Sequence, residues 1–115
     1  MSRKKWPESL KRYPHDRNPE KRSAIGHLIL VLFIPDARSL KDKRQVLQSL
    51  LSRVRERFPV SVAETGYQDL WQRSVVEAVM ISADSDLHAR IFEKVIDLFR
   101  SDPFVELQDV HQEVL

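Results

Sequence analysis

The chain has 115 residues, with 19 Lys+Arg against 17 Asp+Glu, 42% hydrophobic and 31% charged positions and no cysteine. That is one domain's worth of chain, and disulfides, thiolate metal sites and cysteine nucleophiles are excluded. The longest apolar run, Leu28 to Ile34, is far short of the roughly 20 residues needed to cross a bilayer, and no signal-peptide pattern precedes it, so a cytoplasmic chain without membrane contact is expected.

Residues 1–24 hold eight bases and three acids and only five apolar residues, interrupted by Pro7, Pro14 and Pro19. Such a segment buries too little surface to offset the entropy of ordering, and is expected to be a basic, disordered extension. Residues 25–115, with eleven bases and fourteen acids, form the single domain. His27 to Ile34 is aliphatic on both parities, as in a central strand covered on two faces or covered on one by a partner. Pro35 and Asp36 end it. Ser39 stands three residues before Asp42, a capping-box-like pair, and Leu47, Leu50, Leu51, Val54 and Phe58 recur at helical spacing, which predicts a helix over 39–57 closed by Pro59. Val60 to Thr65 and Ser74 to Ser82 read as two strands joined by a long connection. Asp84 to Asp86 offers caps for a second helix that runs to Pro103. A last strand covers Phe104 to Val114, and its apolar phase slips near Gln108, where a bulge is expected. The order βαββαβ specifies an α+β ferredoxin-like plait, an antiparallel sheet in order 4-1-3-2 with both helices on one face.

Seven of the domain's eleven bases fall between residues 38 and 57. At 100° per residue Lys41, Arg44 and Arg55, with Gln48, form a stripe on one shoulder of the first helix. One reading is a solvated helix face. The other is a phosphate or RNA site built from Arg38, Lys41, Lys43, Arg44 and Arg55, because bases in a first turn oppose the helix dipole and lie beside unpaired N–H groups. A second set, Tyr67, Gln68, Trp71 and Arg73, is suited either to a binding surface or to a core plug in which Leu70 and Trp71 are buried and Asp69 pairs with Arg73 or caps the turn. No two histidines share a helix face. The start of strand one and the end of strand four bring His27 toward His111 and Glu113, read as paired surface residues ahead of a metal or pH-sensing site. With two glycines in the chain, nucleophile elbows, P-loops and dinucleotide fingerprints are excluded. Acylphosphatase chemistry on this plait needs an Asn on the sheet, and the single Asn is Asn18, in the tail. Base stacking on the sheet face, as in RNA recognition motifs, needs aromatics on strands one and three, of which only Phe33 is present.

The stretches Ile34 to Arg44 (IPDARSLKDKR), Val60 to Glu64 (VSVAE) and Gln68 to Arg73 (QDLWQR) resemble the YlxP-like family of small bacterial proteins of unassigned function. The resemblance runs from about His27 to the C-terminus. It implies a ferredoxin-like fold and, through genes that neighbour translation-initiation and ribosome-maturation factors, a link to RNA or ribosomes by association. It supplies no catalytic residue. The expected function is a non-enzymatic module, without cofactor or metal, that binds the phosphate backbone of RNA or a ribosomal particle. The alternatives are a homodimeric or protein-binding scaffold using the open sheet face and, further off, a small-molecule sensor.

Overall fold

The computed structural model describes residues 23–115, so residues 1–22 of the expected 1–24 extension lie outside the described residues, while Ala24 is the first residue of a strand. The elements are β1 (Ala24–Phe33), α1 (Leu40–Arg57), β2 (Ser61–Gly66), β3 (Arg73–Ser82), α2 (Ser85–Ser101) and β4 (Glu106–Val114). All three strand pairings are antiparallel and the sheet order is β2-β3-β1-β4, the 4-1-3-2 order of the ferredoxin-like plait.

Local chemistry accounts for the boundaries. The Ser39 Oγ accepts the Asp42 N–H at 3.0 Å and starts α1, while extended Phe58 ahead of Pro59 stops it. Asp84 Oδ1 accepts the N–H groups of Asp86 and Leu87 at 3.0 and 3.4 Å and starts α2. Two strand starts differ from the sequence expectation. β1 opens at Ala24 rather than His27, since its first residues pair with Ser82 and Ile81 of β3. β4 opens at Glu106 rather than Phe104, since the Asp102 carboxylate accepts the Phe104 N–H at 2.8 Å and holds that segment in a turn.

Leu28, Leu30, Leu32, Val62, Val76, Ala78 and Met80 are buried and all lie on one face of the sheet. They cluster with Leu47, Leu50 and Val54 of α1 and Phe92, Val95 and Phe99 of α2, which places both helices on that face. Burying each of the larger side chains contributes about 1.5–3 kcal/mol before chain entropy is counted. The register of β1 with β4 shifts between Val31 and Leu32, so Gln108 is the extra residue of a bulge, which restores the inward direction of Val110 after Leu107. Among the described residues no helix covers the opposite face of the sheet. Among the described residues no helix is long and apolar enough to cross a membrane.

Candidate functional site

Lys43 falls at positions 43, 47, 50 and 54 with three core residues, so its stem enters the domain with them. It has no exposed surface. Its ammonium donates to the carbonyls of Tyr67 at 2.8 Å, Gln68 at 3.3 Å and Arg73 at 3.0 Å, and pairs with Glu64 Oε2 at 2.9 Å. Glu64 also accepts from the buried Ser74 hydroxyl at 2.6 Å. A buried charge is tolerated when an opposite charge and further acceptors surround it, as they do here. The expectation that Lys43 contacts phosphate is therefore corrected: its charge is spent inside the domain, holding the two ends of the connection between β2 and β3.

Gln72 makes a second attachment. Its Nε2 donates to the carbonyls of Pro35 at 2.9 Å and Ala37 at 3.2 Å, and its own carbonyl accepts the Ile34 N–H at 2.8 Å. The segment from Tyr67 to Arg73 is thus fastened to the entry of α1, which puts it at the same end of the domain as Arg38, Lys41 and Arg44, while Arg55 lies in the last turn of α1 at the far end. Because Lys43 and Gln72 satisfy the backbone, the side chains of the segment turn outward. Trp71 is 54% exposed, Leu70 45% and Tyr67 43%. The expectation that Leu70 and Trp71 plug the core is corrected on that ground. Gln68 donates to the Glu64 carbonyl at 3.1 Å. Arg73 does not pair with Asp69; its guanidinium stacks 4.6 Å from the centre of the Tyr67 ring. Tyr67 has φ of 55°, a left-handed conformation that costs a non-glycine residue about 1–2 kcal/mol and that the Lys43 contact to its carbonyl helps hold.

Arg38, Lys41, Arg44 and Arg55 are all exposed. Arg55 Nη2 donates to the Val62 carbonyl at 2.8 Å, which sets this shoulder of α1 over β2, the strand that leads into Tyr67. Among the described residues Arg38, Lys41 and Arg44 have no carboxylate within ion-pair distance. At the helix N-terminus the Asp42 N–H is taken by Ser39, and the Asp42 carboxylate accepts the Arg38 N–H at 3.0 Å. Of the first-turn N–H groups beside these bases, that of Asp42 is therefore not free. The other flank of α1 carries the opposite charge. A groove of about 480 Å³ there is lined by Ile34, Val46 and Phe104 with Asp36, Asp42 and Asp102, and its one base, Arg53, is held by Asp102 at 2.9 Å.

On the open face His27 lies between two carboxylates, with Nε2 2.6 Å from Glu77 and Nδ1 3.3 Å from Glu113. Its pKa is raised, first by the Glu77 hydrogen bond, against a smaller opposing effect of burial. Glu77 is lowered, first by the Thr65 hydroxyl and then by His27. His111 sits 3.5 Å from Glu113. Among the described residues no group of three or more histidine and carboxylate side chains is arranged to hold a metal ion.

The missed feature was the lysine network, and two signals could have exposed it. Lys43 keeps the spacing of the core leucines, and Glu64 keeps the parity of Val62 on β2.

The model of the family described as protein of unknown function (DUF503) matches residues 25–112. Over 82 residues the chain is 38% identical to the uncharacterized protein YlxP of Bacillus subtilis (strain 168), an alignment that covers 71% of this chain and 89% of that one. Among solved structures, the de novo designed protein Foldit4 aligns with a TM-score of 0.49 at 15% identity, over 80% of this chain and 97% of the other. The match over most of the described domain, together with the identity to YlxP, shows that the chain belongs to the DUF503 family and is YlxP-like.

Proposed function

We propose that this chain is a binding module and not a catalyst, and that it holds the phosphate backbone of RNA, free or in a ribosomal particle, through Arg38, Lys41, Arg44 and Arg55. The observation that carries this reading is the pair of flanks of α1. One flank presents bases with no carboxylate partner among the described residues, and the other presents carboxylates whose single arginine is already engaged. Arg38 and Arg44 offer planar forks suited to phosphate oxygens, and Lys41 a mobile point charge. Contacts of this kind position a backbone without reading base edges, so binding is expected to be weak in sequence preference and steep in salt. Co-sedimentation with ribosomal subunits, and with the RNA extracted from them, across a salt series tests it. Association that is lost as salt rises, and weakened by Arg38→Ala with Arg44→Ala, is the expected outcome; no salt-dependent association with either would remove the reading.

A second reading rests on the open face, where Ile25, Val79 and Ile81 are exposed at one end of the sheet, Ile81 by 67%. An apolar row of this kind on a surface that no described helix covers suits a second copy of the chain. Light scattering over a concentration series is expected to show a dimer that Ile81→Lys dissociates; a monomer at every concentration would rule this surface out as a self-association site.

A further inference from the structure

Resting on that RNA reading, we infer that the strand bound is unpaired, and that Trp71 stacks on one of its bases while the α1 shoulder holds the adjoining phosphates. The juxtaposition is direct. Gln72 bonds to the Ala37 carbonyl, so Trp71 and Arg38 are each one residue from the same contact.

A shallow hollow of about 380 Å³ is lined by Asp69, Leu70, Trp71, Gln72 and Arg73, within the size range of small-ligand sites. Its chemistry favours a base over a phosphate. An exposed indole and an exposed leucine supply flat and apolar contact, and the Asp69 carboxylate, which repels a phosphate, can accept from the amino group of a base. Positive charge for the adjoining phosphates stands at its edge on Arg73, which stacks on Tyr67, and beyond it on Arg38, Lys41 and Arg44.

The hollow is also rigidly supported for an exposed loop. Lys43 fixes the carbonyls of Tyr67, Gln68 and Arg73 from beneath, and Gln72 fixes the loop to the entry of α1. A platform whose backbone is ordered before binding loses less entropy when a base stacks on it. In a duplex the base faces are already stacked on each other and only base edges, sugars and phosphates are accessible, so the indole would have no face to stack on. With an unpaired strand every base has an available face, and aromatic stacking adds to the charge contacts without sequence selection.

The test uses the full chain with Trp6→Phe, leaving Trp71 as the sole tryptophan, titrated with a single-stranded oligoribonucleotide of mixed sequence and with the same RNA as a duplex. The single strand is expected to quench Trp71 fluorescence and the duplex to leave it unchanged. Trp71→Ala is expected to weaken single-strand binding roughly 5- to 150-fold, the range for loss of one stacked base, with duplex binding unaltered and Trp71→Phe restoring most of the loss. Because the side chain is more than half exposed, the variant is expected to keep its fold, which circular dichroism checks. If both RNAs bind in a salt-dependent way but Trp71→Ala changes neither, or changes both equally, the stacking inference is overturned while the phosphate reading survives. If neither RNA binds, both fall together.

Discussion

Lys43 joins the core and the loop in one side chain, and its replacement separates what each contributes. Lys43→Met keeps an apolar stem but leaves Glu64 and three carbonyls without their cation. Loss of one partner of a buried pair costs about 3–5 kcal/mol. A loss of that size is expected in urea unfolding, and Lys43→Met with Glu64→Leu should be less destabilised than Lys43→Met alone, because no uncompensated carboxylate remains. His27 gives a second residue-level expectation. Its folded pKa lies above the ordinary 6.5, so its stabilising effect is complete below that ordinary value and is lost as pH rises through the raised folded value. Glu77 is depressed, so its effect is present above the ordinary carboxylate value and is lost as pH falls through its lowered one. Melting temperature followed from about pH 5 to about pH 9 should therefore decline on the alkaline side, and His27→Gln should flatten that decline. A wild-type profile without it would contradict the ion pair. Residue type misleads at Lys43 and leaves Trp71 open. Charge groups Lys43 with the other bases although its spacing places it with Leu47 and Leu50, and hydrophobicity suits Trp71 to a core plug as well as to a surface, although the backbone around it is satisfied from below and leaves the indole outside.

At the scale of elements the reading was more complete, because strand alternation and helical periodicity depend on many residues together. The order of six elements, the capping of α1 by Ser39 and the bulge at Gln108 all followed from pattern. What pattern does not carry is the close contact between elements. Gly26 on β1 shows why: a Cβ there would lie 2.9 Å from the Phe92 ring and 3.1 Å from the His88 ring, both buried on α2. The backbone at Gly26 needs no glycine for its own conformation, since its φ is not positive. The need is for space between a strand and a helix distant in sequence. Gly26→Ala is expected to lower stability by about 1–3 kcal/mol through overpacking, read from chemical denaturation, and no loss would mean that α2 can move away from β1 without cost.

Among the described residues, the two flanks of α1 divide the charge, and the connection between β2 and β3 presents an exposed aromatic surface at the α1 entry. The domain as a sequence is slightly acidic, so attraction to a polyanion depends on where its bases lie and not on their number. The most direct measurement is the salt dependence of binding to a labelled single-stranded oligoribonucleotide, by fluorescence anisotropy, for the wild type, for Arg38→Ala with Arg44→Ala, and for Lys94→Ala with Arg100→Ala on α2. All these bases are exposed, and each pair removes the same charge. Loss of two phosphate contacts on a single strand should flatten the slope of log affinity against log salt by about 1.4. The expected result is a steep wild-type slope, flattened by that amount in the α1 variant and little changed in the α2 variant; equal slopes in the two variants, or no binding by the wild type at low salt, would contradict the placement of the site on α1.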